Sequence, residues 1–219
     1  MRFSYLFSVI LLIPLFVAIH FLSPASYADD DDCVEILVNG DMENYTGWSI
    51  YQGGYSGGEY LSPVRSAQLG IIDGENTLAQ SWLHQDVDVP AGNYLALSWH
   101  MYPLSSPFDS EDLQSVSIRD SQSTILRRVW SGVRADEAWM SCSFDLSEFL
   151  NQSINLYFSV RNDGDGGKTA MYVDDVSLKM CQTPPLTLDG CLPATPTNTP
   201  TPTATPASVS LYFPMITRF

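Results

Sequence analysis

The most informative segment of this chain is Met171-Tyr172-Val173-Asp174-Asp175-Val176-Ser177-Leu178. Its β-branched and aromatic residues predict a strand, and the glycine-rich run at residues 163–167 predicts a turn before it. Strands are depleted in Asp, and because side chains alternate between two faces, one carboxylate of the pair must point toward the core side. A half-buried carboxylate needs a hydrogen-bond donor or a metal ion as its partner. We therefore expect such a partner beside this strand.

The rest of residues 34–178 also predicts strands, and we find no convincing helix there. In the clearest strand, residues 95, 97, 99 and 101 face one way and residues 96, 98, 100 and 102 face the other. Further short runs, separated by turn signals such as Pro90-Ala91-Gly92, lie at residues 34–38, 47–50, 66–69, 83–89, 116–118, 125–130, 140–146 and 154–161. About nine or ten strands in one domain predict an all-β sandwich of two antiparallel sheets.

Both ends of the chain differ from this domain. An apolar run at residues 5–22, followed by small residues up to Ala28, predicts a signal peptide over residues 1–28. The alternative is an uncleaved membrane anchor, but His20 and the small-residue exit favour cleavage. Residues 29–182 would then form the domain, followed by a disordered Pro/Thr-rich linker at 183–207 and an apolar tail at 208–219. We therefore expect a secreted protein with no stable membrane span after cleavage, because the tail is too short to cross a bilayer.

The charge of the chain excludes one class of partner. It has 10 Lys and Arg residues against 25 Asp and Glu residues, for a formal net charge of −15. Nucleic-acid binding needs clustered basic residues that neutralise phosphates. We expect no nucleic-acid partner.

Export allows disulfides, and the four cysteines permit three complete pairings. We favour Cys33–Cys181, because it would join the two ends of the predicted domain. The alternation around Cys142 predicts a buried free thiol on the core face. Cys191 lies in the predicted linker, where it can instead pair with Cys181 and leave Cys33 free.

The chain offers little for catalysis. After removal of the signal peptide only His84 and His100 remain as histidines, each within a strand pattern, and we find no nucleophile elbow, zinc motif or phosphate loop. Adjacent carboxylates such as Glu111 and Asp112 do not by themselves set the separation that a glycosidase needs. We predict that the protein is not an enzyme.

Several segments, in order along residues 33–181, resemble carbohydrate-binding modules of the galactose-binding-like jelly-roll superfamily. They are Leu37-Val38-Asn39-Gly40-Asp41-Met42-Glu43, Gly47-Trp48, Trp139, Phe144-Asp145-Leu146-Ser147, residues 156–164 and Tyr172-Val173-Asp174-Asp175-Val176-Ser177-Leu178. The resemblance implies a jelly-roll β-sandwich. The Pro/Thr linker and the apolar tail of the chain also resemble the C-terminal endings of some secreted bacterial proteins.

The resemblance also implies a structural Ca²⁺ between the first and last strands. By motif, Glu43 and Asp174 would supply carboxylates, and Gly40 or Asp41 a backbone carbonyl. These are the hard oxygen ligands that Ca²⁺ takes. The alternative is an Asp held by hydrogen bonds without a metal. The acidic loop at residues 163–167 is a second candidate, although a plain β-turn fits it better.

Carbohydrate binding needs an exposed aromatic platform and polar side chains that hydrogen-bond to sugar hydroxyls. Five residues on faces opposite the predicted core would line a groove: His100, Tyr102, Arg119, Tyr157 and Arg161. An alternative site at the loop end of the domain would use Tyr51, Tyr55, Tyr60 and Phe108. We assign Trp48, Trp99 and Trp139 to the core.

Two functions remain open at this point. The first is a secreted, non-catalytic module that binds carbohydrate. The second is a structural or adhesive cell-surface protein without a glycan ligand, attached to a cell-envelope partner through its tail.

Overall fold

The structure is a computed structural model that describes residues 32–106, 111–187 and 189–194. The predicted signal peptide, Phe108, the Pro/Thr-rich residues from 195 onward and the apolar tail lie outside these residues. The strands are, in chain order, β1 (Cys33–Glu35), β2 (Ser49–Tyr51), β3 (Gly53–Ser56), β4 (Ser66–Gly70), β5 (Leu78–Asp88), β6 (Tyr94–Ser105), β7 (Leu113–Arg119), β8 (Ile125–Gly132), β9 (Met140–Asp145), β10 (Ser153–Asp163), β11 (Thr169–Cys181) and β12 (Gly190–Pro193).

These strands form two antiparallel sheets, which is the predicted all-β jelly-roll sandwich. The seven-stranded sheet has the order β12-β9-β6-β11-β4-β3, and β1 pairs with the end of β11 on the same edge as β4. The five-stranded sheet has the order β2-β5-β10-β7-β8. Between them lies one apolar core, and Trp99, Phe158 and Met42 are its largest fully buried side chains. Every other side chain of a strand therefore faces outward, away from the partner sheet.

Strand β11 carries a β-bulge at the paired carboxylates. Asp174 lies opposite His100, and Ser177 lies opposite Ser98, so three steps along β11 match two steps along β6. Asp175 supplies the extra residue and has a φ of 47°. This left-handed conformation is one that Asp adopts more readily than most residues, because its short polar side chain bonds locally.

The extra residue shifts the alternation of side chains by one position. Val173 faces the core before the bulge, and Val176 and Leu178 face it afterwards. An unbroken strand cannot place residues three apart on one face. Asp174 is fully buried, but it lies on the outer side of the sheet beneath the loop at residues 59–62. The expectation that one carboxylate points toward the core side is therefore wrong.

A close approach of two backbones holds the bulge in place. The Val176 amide donates to the Gly40 carbonyl oxygen at 2.8 Å. A Cβ built on Gly40 would lie 1.8 Å from the Val176 carbonyl oxygen, so only glycine fits there. Beyond the bulge, a carboxylate oxygen of Glu35 accepts the Leu178 amide at 3.0 Å. The first segment of the chain thus satisfies backbone groups that the bulge leaves unpaired.

Two disulfides close the sandwich. Cys33 pairs with Cys181, the favoured pairing, across a sequence separation of 148 residues. Cys142 pairs with Cys191 across 49 residues, so the prediction that Cys142 is a free thiol is wrong. In the chain-entropy account, loops of these lengths stabilise the fold by about 5 and about 4 kcal/mol.

Strand β12 corrects the predicted domain boundary. It lies within the segment assigned to the linker, yet it pairs with β9 and places Cys191 opposite Cys142. The folded domain therefore extends to at least Pro193 rather than ending at residue 182. This strand is hard to predict from the sequence, because four residues with a proline at one end show no clear alternation.

The Gly- and Tyr-rich residues 51–60 contain a short strand, since residues 53–56 form β3 at the edge of the seven-stranded sheet. Within residues 32–106, 111–187 and 189–194, no helix is long and apolar enough to cross a membrane.

We predict that Gly40→Ala destabilises the protein by at least about 2 kcal/mol, because the new methyl group overlaps the Val176 carbonyl. Gly54→Ala is the matched control, since a Cβ built there meets no atom within 4 Å, and its effect should stay within about 0.5 kcal/mol. Urea unfolding of both variants measures the difference. Equal stability of the two would contradict the role assigned to Gly40.

Candidate functional site

A row of planar side chains crosses the outer face of the five-stranded sheet. It consists of Tyr51 on β2, Trp82 on β5, Tyr157 on β10 and Arg119 on β7, and we call these four residues the aromatic row. Tyr51 lies directly opposite Trp82, and their rings stack at 5.3 Å between centroids and 19° between planes. The Trp82 and Tyr157 rings are 5.8 Å apart at 31°. The row thus runs obliquely across the strands, since Tyr157 lies opposite His84 rather than opposite Trp82, and its three ring planes are roughly parallel.

Arg119 closes one end of the aromatic row. The central carbon of its guanidinium lies 3.4 Å from the centroid of the Tyr157 ring, a cation–π contact. Tyr157 is consequently only 8% exposed although it lies on the outer face. Burial raises the pKa of its phenol, and the charge of Arg119 opposes this shift. At the other end, Tyr51 on the edge strand is 49% exposed.

A polar network lies beside the aromatic row. The side-chain amide nitrogen of Asn155 lies 2.5 Å from His84 Nδ1 and 2.7 Å from a carboxylate oxygen of Asp86. If the amide donates both bonds, the proton of a neutral His84 lies on Nε2. The His84 ring also stacks on Tyr157 at 6.0 Å and 24°. Asp86 remains exposed, so this network offers a carboxylate next to the rings.

Trp82, His84 and Asp86 are not among the contacts predicted from the sequence, although a signal for them is present. Leu83, Gln85 and Val87 alternate along the predicted strand at residues 83–89, and all three are buried. The residues between them must then face outward. The outward face of that alternation carries Trp82, at the centre of the aromatic row, and His84 and Asp86 beside it.

The five residues predicted to line one groove lie on two opposite faces of the sandwich. Arg119, Tyr157 and Arg161 belong to the five-stranded sheet, whereas His100 and Tyr102 lie on β6 of the seven-stranded sheet. The structure therefore brings Tyr157 and Arg119 together, leaves Arg161 exposed further along β10, and separates these three from the other two. The alternation of a strand identifies outward residues but does not say which sheet they belong to.

A second aromatic group lies on the outer face of the seven-stranded sheet. It consists of Trp139, Tyr102 and Tyr172, and we call it the acidic aromatic cluster for the carboxylates that surround it. The Tyr102 ring lies 5.7 Å from that of Trp139 at 66°, and 6.2 Å from that of Tyr172 at 75°. Trp139 is half-buried on this outer face, so its assignment to the core is wrong. Trp48 and Trp99 are core residues, as predicted.

The alternative site at the loop end is also divided. Tyr51 belongs to the aromatic row, Tyr55 packs edge-on against Tyr45 at 5.1 Å, and Tyr60 is 47% exposed in the loop before β4. Phe108 lies outside the described residues.

Hydrogen-bond donors surround the Asp174 carboxylate. One oxygen accepts the amides of Leu61 and Ser62 at 2.8 and 3.0 Å. The other accepts the Ser62 hydroxyl at 3.0 Å and the Asp175 amide at 2.8 Å. Burial raises the pKa of Asp174 to about 6, while the three donated amide bonds hold it lower than burial alone would.

Two of the other predicted calcium ligands, Gly40 and Glu43, accept hydrogen bonds from donors other than Ser62. The Gly40 carbonyl accepts the Val176 amide, and a carboxylate oxygen of Glu43 accepts the Arg65 amide at 3.1 Å. The Asp41 carbonyl lies 3.2 Å from the Ser62 hydroxyl. Among the residues that the structure describes, no group of three His, Cys, Asp or Glu side chains is placed to hold a metal. The Asp41 carbonyl and the Asp174 carboxylate both lie beside the Ser62 hydroxyl, and Ca²⁺ binding stays a prediction.

Comparison with known proteins gives similarities of low identity. No protein-family model matches the chain, and no curated protein matches it. A family 61 carbohydrate-binding module solved with β-1,4-galactotriose is 12% identical, with a TM-score of 0.48 over 66% of this chain and 97% of that one. A xylan-binding domain from Paenibacillus barcinonensis is 15% identical, with a TM-score of 0.46 over 68% and 94%.

The adhesin domain K3 of Lys-gingipain from Porphyromonas gingivalis is 14% identical, with a TM-score of 0.45 over 67% of this chain and 98% of that one. With identities this low and TM-scores below 0.5, these similarities assign the chain neither to a family nor to a ligand.

The calcium prediction has a direct test. If Ca²⁺ binds at Asp174, the melting temperature of the full chain rises when Ca²⁺ replaces EDTA, because a ligand of the folded state stabilises it. Asp174→Asn should remove the increase, whereas Asp165→Asn, in the other acidic loop, should leave it intact. An unchanged melting temperature in EDTA would show that the four donated hydrogen bonds hold Asp174 without a metal.

Proposed function

We propose that the protein is a secreted, non-catalytic module that binds an extended carbohydrate across the outer face of its five-stranded sheet. The observation that carries this proposal is the aromatic row, which crosses four adjacent strands. Neighbouring strands lie about 4.8 Å apart, so the row spans roughly 15 Å. That length accommodates several consecutive sugar rings.

The orientation of the rings determines how a sugar would bind. The planes stand up from the sheet and stack on one another, so the free ring face is the outer side of Tyr51. A sugar ring would lay its apolar C–H face on this tyrosine. Along the row, Asp86 and Arg161 are exposed and charged, and they are suited to accept from and donate to sugar hydroxyls.

Export is the second part of the proposal. Both disulfides tie strands of the described domain to each other, and such bonds persist in oxidising compartments outside the cytosol. This agrees with the signal peptide and secretion predicted from residues 1–28. Attachment to a cell envelope through residues 208–219 rests on the sequence alone.

One observation favours the alternative, a structural or adhesive module without a glycan ligand. The Arg119 guanidinium already lies on the Tyr157 ring and covers a surface that a sugar would otherwise use. Cross-strand pairs of this kind each stabilise a sheet by roughly 0.2–1 kcal/mol. The aromatic row could then serve to stiffen the sheet.

A glycan array with the full chain tests the proposal. Tyr51→Ala and Trp82→Ala should each weaken binding to the recognised glycan by about tenfold, since the first removes the free ring face and the second removes the ring that stacks behind it. Tyr60→Ala is the matched control, because Tyr60 is as exposed as Tyr51 but lies outside the row. Melting temperatures confirm that each variant is folded.

Two results would contradict carbohydrate binding at this face. One is the absence of binding to any glycan; the other is binding that survives both substitutions. If the first result accompanies loss of cell-surface retention on deletion of residues 208–219, the structural or adhesive function is supported instead.

A further inference from the structure

The acidic aromatic cluster differs from the aromatic row in its geometry. Tyr172 and Tyr102 are directly opposite each other on β11 and β6. Trp139 immediately precedes Met140, which lies opposite Met101, so its ring falls beside that of Tyr102. The rings meet at 66° and 75°. They therefore point their faces in different directions, rather than stacking as parallel plates.

Two loops bring carboxylates to this cluster. Glu137 lies in the loop before β9, and its amide donates to the Pro103 carbonyl at 3.2 Å, next to Tyr102. Glu59 follows Gly58, and a Cβ built on Gly58 would lie 3.0 Å from the Tyr172 hydroxyl oxygen. Both glutamates thus belong to backbone segments that lie next to the rings.

The titration of the tyrosines reflects these charges. Burial raises the pKa of Tyr102, and Glu59 and Glu137 raise it further. Burial likewise raises the pKa of Tyr172, and Glu59 is the first of the charged groups that add to this shift. On the opposite face, the charged group that acts on Tyr157 is the cation Arg119. The two outer faces therefore carry aromatic groups in opposite electrostatic surroundings.

Basic side chains near the cluster already have partners. Arg134 donates two hydrogen bonds to the Asp136 carboxylate, at 2.6 and 2.8 Å. The Lys168 ammonium donates to the carbonyls of Ile72 and Gly74 at 2.9 and 3.1 Å. Burial lowers the pKa of His100, against the opposing effect of Asp175, which favours its neutral form. These basic side chains therefore do not form ion pairs with the Glu59 and Glu137 carboxylates at the cluster.

This combination suits one kind of ligand. The face of an aromatic ring is negative, and it attracts a cation within about 6 Å of the ring centroid. A carboxylate nearby adds to this attraction. Metal ions such as Ca²⁺ prefer several convergent oxygen ligands, and the described residues at this cluster offer no group of three His, Cys, Asp or Glu side chains. An organic cation gains from rings and carboxylates together.

We propose that the acidic aromatic cluster is a second binding site, which takes an alkylammonium group such as that of an amino sugar or a choline headgroup. Trp139 and Tyr102, both half-buried, present their rings to the cation, and Glu59 and Glu137 supply the counter-charge. The site lies on the opposite side of the sandwich from the aromatic row, so it does not depend on the carbohydrate-binding proposal.

Nuclear magnetic resonance titration of the full chain tests this site. The probes are choline and glucosamine. The control for choline is its uncharged carbon isostere, and the control for glucosamine is glucose. We expect at least one amine to shift the indole N–H signal of Trp139, assigned with Trp139→Phe, while its neutral counterpart leaves that signal in place. Comparison of the two amines distinguishes a choline-type group from an amino sugar.

Variants distinguish the contributions of the aromatic ring, of the carboxylate charge and of folding to amine binding. Tyr102→Leu should weaken amine binding by about fivefold, whereas Tyr102→Phe, which keeps the ring, should retain it. The double variant Glu59→Gln with Glu137→Gln should weaken binding and reduce its dependence on salt concentration. Tyr51→Ala, in the aromatic row, should have no effect on amine binding even if it abolishes glycan binding.

Three outcomes would overturn the proposal. They are equal shifts of the Trp139 signal by each amine and its neutral counterpart, shifts confined to the Trp82 signal, and no shift with either amine. The second outcome would place the amines on the aromatic row, and the third would leave the carbohydrate-binding proposal untouched.

Discussion

The bulge at Asp175 is the constraint on which the rest of the sandwich depends. The extra residue turns Val176 and Leu178 toward the core and sets the backbone against Gly40. It also leaves the Asp174 carboxylate at a gap in the edge of β11 between β1 and β4, where it gathers four donated hydrogen bonds. A buried carboxylate is costly unless it is satisfied in this way. The two neighbouring loops, which supply the donors and Gly40, are therefore fixed by the same feature that keeps the strand in register.

The two outer faces share one feature, a line of aromatic side chains, in opposite electrostatic surroundings. Both carry aromatic side chains in a line across neighbouring strands, where cross-strand spacing brings the rings within contact distance. On the five-stranded sheet the planes are nearly parallel, and a guanidinium closes one end. On the seven-stranded sheet the rings meet at 66° and 75°, and the charges of two glutamates act on Tyr102. A neutral, extended sugar suits the first arrangement and an organic cation the second, so one small domain can present two chemically different surfaces.

The two disulfides lie where the chain enters and leaves the folded domain. Cys33–Cys181 joins the first strand to the end of β11, and Cys142–Cys191 fastens β12 to β9 just before the chain passes into the Pro/Thr-rich residues. Four residues of edge strand would by themselves be held weakly, because they have few ladder hydrogen bonds. The second disulfide keeps β12 in the sheet, so the folded part extends beyond the point at which the alternation of residues ends.

The sequence by itself determined the all-β class, most of the strands and the alternation of β6, and it favoured the Cys33–Cys181 pair. Period-two alternation and turn residues are local signals, which can be recognised without any tertiary information. Only the tertiary structure decided that Tyr157 and Tyr102 lie on opposite sheets, that Asp174 is buried on the outer side, and that Cys142 has Cys191 as its partner. These facts depend on which strands become neighbours and on one inserted residue that reverses the phase of β11. Both arise from long-range packing, which the alternation within a single strand does not encode.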